Sequence, residues 1–213
     1  MISDKDIEQA VTMFTKWDLE HRWKKPEDIF INHLQEKVND CLDTAKLLIE
    51  LRNQKDILVK LLGKNQFNPT LWIINPSYYS IFFNAQLLLA YDGKKLPDNT
   101  ENTHKTVFLA LLYYCVIKGS GLEGRKNIKW VEIQTSKLYN ALILFHDAQE
   151  EIEELLQRTK GIVENFHAEL EKRRIFTYQM NIHAKESIAL TSYQRAISFR
   201  TIVTEYIETL KRR

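Results

Sequence analysis

Ser77-Tyr78-Tyr79-Ser80-Ile81-Phe82-Phe83-Asn84-Ala85-Gln86-Leu87-Leu88-Leu89-Ala90-Tyr91 carries no charged residue along its length, and its apolar side chains fall on every side of a helix. A helix that is apolar nearly all round has to be covered on all sides, so this stretch is expected at the centre of the fold. Asn75-Pro76 supplies an N-cap and a first-turn proline for it, and Tyr91-Asp92-Gly93 supplies its end. The stretch His104 to Lys118 repeats the pattern around the unbroken apolar run Phe108 to Ile117. That run is about half the length of a membrane span. Two such helices in succession predict the core of an all-α bundle.

The flanking sequence reads as the cover. Ser3 with Asp6 three positions on resembles a helix start, and Ile7, Ala10, Val11, Phe14 and Trp17 keep helical spacing to about His21. Ile31, Leu34, Val38, Cys41, Leu42, Ala45, Leu48 and Ile49 form one stripe, which Leu58, Leu61 and Leu62 continue either in the same helix or in a second piece. A polar break follows from Gly63 to Pro69. Downstream, Gly119-Ser120-Gly121 and Gly124 mark the most flexible connector. From about Ser136 to Leu170 a helical stripe recurs, which Gly161 is expected to bend or split, and Glu150, Glu151, Glu153 and Glu154 read as a solvated face. Ala189, Ser192, Ala196, Phe199, Val203, Tyr206 and Leu210 alternate three and four apart, as in a packed seam.

Composition agrees with this pattern. The chain has 213 residues, 44% apolar and 27% charged, which is ordinary for a folded globular protein. Glycine and proline together number only 6 and 4, too few for many short strands and their turns. The net charge of +2 is below the strongly basic balance of a dedicated nucleic-acid domain, so any contact with RNA or DNA has to be local. Cys41 and Cys115 lie in apolar helical stretches, a reading that favours a reducing compartment. The first residues lack a secretory pattern, and a cytoplasmic location is the expectation.

Zinc spacings, phosphate-cradling glycine loops and nucleophile motifs are absent from the sequence. Glu164 with His167 and Asp18 with His21 have the spacing of a bundle metal site, but the two central apolar runs offer no further carboxylates, and neither metal nor cofactor is expected. His21-Arg22-Trp23-Lys24-Lys25 interleaves cations with an aromatic residue, as a nucleic-acid contact would. The favoured reading is that these cations complement the dipole at the end of the first helix. Lys172-Arg173-Arg174 permits the same explanation.

Ser77 to Ala85 with its paired tyrosines, the helix running on to Gly93, Thr103-His104-Lys105 opening the next helix, Arg173-Arg174-Ile175-Phe176-Thr177-Tyr178, and a closing helix from Ala189 to Leu210 stand in this order. Together they resemble the HEPN family. The resemblance implies an antiparallel helical bundle of about five to seven helices. Residues 1–73 would form an N-terminal helical extension and residues 74–213 the HEPN-like bundle, with an insertion around 125–167, all in one structural unit. It further implies a homodimer, often beside a small nucleotidyltransferase partner, in toxin–antitoxin, RNA-processing or antiviral defence systems, with RNA as the ligand and no membrane association.

Active members of the family are metal-independent ribonucleases whose motif is an Arg followed, a few residues on, by a His. Here four residues separate Arg173 from position 178, which is Tyr. A phenol with a pKa of about 10 is a poor general base, but it can hydrogen-bond a phosphate or stack on a base. The resemblance therefore implies Arg173 and Tyr178 as the catalytic pair of a degenerate site, with Lys172, Arg174, Tyr78 and His104 as RNA contacts. The alternative is a non-catalytic dimerisation or partner-binding module, using the Ala189 to Leu210 seam or the inserted helix.

Overall fold

A computed structural model describes residues 2–63, 69–122, 128, 138–170 and 186–212, with 155–170 given as helical backbone alone. The described residues form an all-helical bundle. Helix α1 spans Asp4–Leu19, α2 Asp28–Arg52, α3 Lys55–Leu62, α4 Thr70–Tyr91, α5 Thr103–Ala110, α6 Tyr139–Leu170 and α7 Glu186–Lys211. Beyond α5 the chain winds on as a π-helix, Leu111–Ile117, and closes in a short 3-10 turn, Lys118–Ser120.

Helix α1 starts where the sequence places it. Ser3 Oγ accepts the Asp6 amide at 3.2 Å, and the Asp6 carboxylate returns to the Ser3 amide at 3.1 Å, so two amides at the helix start are satisfied reciprocally. The apolar stripe through Leu62 is two helices, because α2 ends at Arg52 and the chain turns through Asn53 and Gln54 before α3.

Helix α4 corrects one expectation. It begins at Thr70, and Pro76 lies inside it rather than in its first turn. An interior proline loses the bond to the carbonyl four residues back and costs about 3 kcal/mol. The added first turns bury Ile73 and Ile74, both 1% exposed, against Ala45 of α2 and Ala189 of α7. At about 1.5–3 kcal/mol for each isoleucine, that burial offsets the proline. Ser77 Oγ also donates to the Ile73 carbonyl at 2.7 Å, a local bond one turn back. The residue-73 limit of the expected extension thus falls within α4.

The central position of the two apolar stretches holds. Helix α4 packs on α2, α7, α6 and α5, and every residue of the π-helix is buried. A wider turn brings consecutive side chains closer in direction, and Tyr113 and Tyr114 both reach Phe14 of α1, at 6.0 and 5.6 Å between ring centres. Both cysteines are free, and burial pushes the Cys115 thiol up to about 12.

Three further readings change. The backbone of α6 is one helix through Gly161, from Tyr139 to Leu170. Its first half, within the expected insertion, belongs to the core: Ala141, Leu142, Phe145 and Ala148 are buried, and Phe145 meets Phe199 of α7 edge-on at 6.1 Å. The Ala189 to Leu210 seam faces inward, with Ala189, Ser192, Ala196, Phe199 and Val203 buried within this chain, so that face is not available to a partner. Among the described residues no helix is long and apolar enough to cross a membrane.

The acidic stretch on α6 is not uniformly solvated. Glu151 accepts Arg195 Nη1 at 2.6 Å and Ser192 Oγ at 2.7 Å, and the side chains of Glu151 and Arg195 are only 15% and 16% exposed. Removing one partner of a buried pair strands the other charge, whereas replacing both by apolar residues is often nearly neutral. Glu151→Ala is expected to lower unfolding stability by about 3 kcal/mol, and Glu151→Leu with Arg195→Met to recover most of it. Urea denaturation of the three proteins followed by circular dichroism checks both outcomes.

Candidate functional site

The hydroxyl of Tyr78 and Nδ1 of His104, on helices that sequence places 26 positions apart, lie 2.6 Å from each other. Tyr78 sits on α4 just past Pro76, and His104 is the second residue of α5. The entry to α5 is pinned from several directions. Asn102 takes a left-handed conformation at φ 47°, Thr103 Oγ1 donates to the Thr100 carbonyl at 2.9 Å, and Lys105 pairs with Asp6 in the α1 cap. Burial tends to raise the Asp6 pKa, but the bonds from Lys105 and Ser3 outweigh it and hold the carboxyl below its usual value.

Protonation follows from the surroundings. Burial, the largest cause, pushes the Tyr78 phenol well above its ordinary pKa, while the Gln149 side chain of α6 works the other way. The phenol therefore keeps its proton; in the tautomer with the imidazole hydrogen on Nε2 it donates that proton to Nδ1. Burial holds His104 below its usual pKa, so the neutral form prevails at pH 7. Among the described residues no partner takes Nε2, which is left as a donor for a ligand.

Aromatic rings frame this donor. The imidazole stacks on Phe82 at 4.1 Å and meets the edge of Tyr79 at 5.9 Å. The far side of Tyr79 opens on a groove of about 760 Å³ between α2 and α4, where Trp72, Pro76 and Phe83 form apolar walls and Lys37 is the cation. Trp72 is 67% exposed and Tyr79 37% exposed, so both aromatic residues reach solvent at this groove.

The structure thus brings together Tyr78 and His104, two residues expected as RNA contacts. Arg173, Tyr178, Lys172 and Arg174 lie outside the described residues, as do the side chains of Glu164 and His167. Asp18 and His21 do not form a metal site. Asp18 accepts the Tyr114 hydroxyl and, at 3.1 Å, Lys118 Nζ, while His21 lies beyond the helix at φ 49°. Among the described residues, His146, Asp147 and Glu150 form a group with ligand atoms within 4.8 Å of one another, all three on α6.

His21 to Lys25 also differs from the dipole reading. Helix α1 ends at Leu19, and the basic residue of its last turn is Lys16. Arg22 lies over the Trp17 ring at 4.6 Å, and Trp23 stacks on Phe14 and donates to the Tyr114 hydroxyl at 2.6 Å. Lys24 and Lys95 exchange both backbone hydrogen bonds, at 3.0 and 2.9 Å. The segment fastens two loops together. Sequence reasoning missed Gln149, Lys37 and Trp72 as parts of the site; only Trp72, a tryptophan beside a polar break, carried any local signal.

Comparison of the chain with protein-family models, with curated proteins and with solved structures returned no match. The site therefore has to be read from its own chemistry.

The depressed pKa of His104 makes a testable link to stability. The unfolded chain takes up the imidazole proton near the ordinary histidine value of about 6.5, and the native protein does so only at lower pH. This contribution is complete above that value and is lost as pH falls through the native pKa. The urea midpoint of the unmodified protein is expected to fall between pH 7 and pH 5, and His104→Gln to flatten part of that fall. Equilibrium unfolding at closely spaced pH values checks it.

Proposed function

We propose that this chain is a HEPN-like, RNA-associated helical protein of the toxin–antitoxin, RNA-processing or antiviral defence type, which takes unpaired RNA along the groove between α2 and α4. The observation that carries the reading is the Tyr78–His104 contact beside the open rings of Tyr79 and Trp72. Unpaired bases stack on exposed aromatic faces irrespective of sequence, and a fixed imidazole N–H gives a base or phosphate acceptor one oriented partner. Lys37 supplies positive charge at the same groove. With the Tyr78 proton held and His104 Nδ1 already engaged, this pair supports binding rather than proton abstraction. Cleavage would fall to Arg173, on a phosphate, and Tyr178, orienting the ribose.

A second reading, a partner-binding module, has its own support. Helix α3 leaves Ile57, Val59, Leu61 and Leu62 between 43% and 68% exposed, an apolar surface more typical of an interface than of a free face.

Fluorescence anisotropy with a labelled mixed-sequence RNA of about twelve nucleotides tests the proposal. Binding is expected to weaken about tenfold or more in Trp72→Ala and in Tyr79→Ala, since stacking contributes about 1–3 kcal/mol per base. Metal-free cleavage, lost in folded Arg173→Ala and Tyr178→Phe, would make the protein a ribonuclease. No RNA binding at any protein concentration overturns the proposal, and a concentration-dependent size that Leu61→Glu abolishes would favour the module.

A further inference from the structure

His146 of α6 is backed by Phe108 of α5, their ring centres 5.9 Å apart, and its side chain is only 16% exposed. Its Nδ1 has no hydrogen-bond partner, although Glu150 Oε2 stands 3.4 Å away and Asp147 Oδ1 3.8 Å away. A hydrogen bond to either oxygen needs a closer and straighter approach. A ring nitrogen held beside two carboxylates and bonded to neither calls for an explanation.

The spacing supplies one. Metal bonds of about 2.0–2.2 Å in a tetrahedral arrangement hold neighbouring ligand atoms about 3.3–3.6 Å apart. The Nδ1–Oε2 separation falls in that range and the Nδ1–Oδ1 separation just above it, and the three ligand atoms all lie within 4.8 Å of one another. The sequence sets this up: His146 and Glu150 are four positions apart and Asp147 and Glu150 three, which puts Glu150 between the other two on one face of α6. Phe145 and Ala148 are buried, so this stretch of the helix is anchored in the core and carries the ligands rigidly. An imidazole nitrogen with two carboxylates suits a borderline ion such as Zn²⁺, whereas Mg²⁺ and Ca²⁺ prefer oxygen ligands.

The site also has an entry. Asp147 and Glu150, 43% and 66% exposed, line a cleft of about 390 Å³ between α6 and α7. Arg195, the cation on that cleft, is engaged by Glu151 at 2.6 Å. A metal bond is shorter than a hydrogen bond to water by about 0.8 Å, so an ion nests among ligand atoms where a water molecule does not fit. The two exposed carboxylates capture the ion, and the screened Nδ1 completes its coordination.

We infer that His146, Asp147 and Glu150 bind one divalent transition-metal ion, Zn²⁺ being the ion they match, with the remaining coordination position turned to the cleft between α6 and α7. The site does not depend on the RNA reading, because it shares no residue with the groove beside Tyr79. It revises the expectation of no metal, which rested on the pairs Glu164 with His167 and Asp18 with His21.

Calorimetric titration with zinc chloride of the full chain, stripped of metal with a chelator and then dialysed, tests the site directly. Saturable binding of one equivalent is expected. It should weaken at least about tenfold in Glu150→Gln, in Asp147→Asn and in His146→Gln, since even the loss of a group that only orients a ligand costs that much. It should stay unchanged in Cys41→Ser and in His33→Gln, which remove a free thiol and an exposed histidine on α2. Glu150 is exposed, so its variant keeps the fold and decides the matter if His146→Gln does not fold. Co²⁺ in place of Zn²⁺ is expected to give visible d–d bands without thiolate charge-transfer absorption. Absence of saturable binding up to millimolar zinc overturns the inference. Binding that the three ligand variants leave equal also overturns it, as does a thiolate charge-transfer band, because the ion would then sit on other groups.

Discussion

Two helices that are apolar on nearly every side need cover over most of their length, and α4, apart from Trp72, Asn75 and Tyr79, and the α5–π segment are such helices. The remaining elements are placed by the need to cover them. Helices α2 and α7 lie along α4, α1 closes over the π-helix through Phe14, and the first half of α6 fills the gap with Phe145 between Phe108 and Phe199. The burden of the arrangement falls on the few polar atoms carried inside. Ser77 satisfies itself on its own helix, Tyr78 reaches His104, and Asn84 is left over. The first two are answered within the fold, and the Asn84 amide is the orphan that α4 carries among the described residues.

Much of the fold was legible because periodicity reports burial. The all-round apolar stretches, the Ser3 and Asp6 cap, and the Ala189 to Leu210 stripe each state locally which surface must be hidden. The errors share a cause. Asn75-Pro76 is a strong local start signal, overridden by the burial of Ile73 and Ile74 against residues far away in sequence. Gly161 is a weak local break that the backbone of α6 passes through. Glu151 looks like its solvated neighbours until Arg195, 44 positions on, closes upon it. Propensity sees neither partner.

The candidate site was less legible for the same reason. Tyr78 and His104 were singled out through the order of motifs in the HEPN resemblance, and no spacing rule joins residues on separate helices. Gln149, which acts on the Tyr78 phenol, sits among glutamates that conceal it. Lys37 and Trp72 meet across a groove that exists only once α2 and α4 have packed. The cationic run His21 to Lys25 shows the converse: an evident sequence signal for binding whose aromatic and backbone groups are occupied within the fold.

The paired backbone bonds between Lys24 and Lys95 have a kinetic meaning as well. They close a loop of 71 positions that contains α2, α3 and α4. Bringing its ends together from a flexible chain would cost about 4 kcal/mol in entropy, more than two hydrogen bonds return. The bridge therefore cannot start folding; it forms once the enclosed helices have docked and the distance is already spanned. A clasp made last is the first to open. Its strength sets how often the α1 end of the bundle opens and how fast the native state unfolds, and leaves the rate of folding nearly untouched.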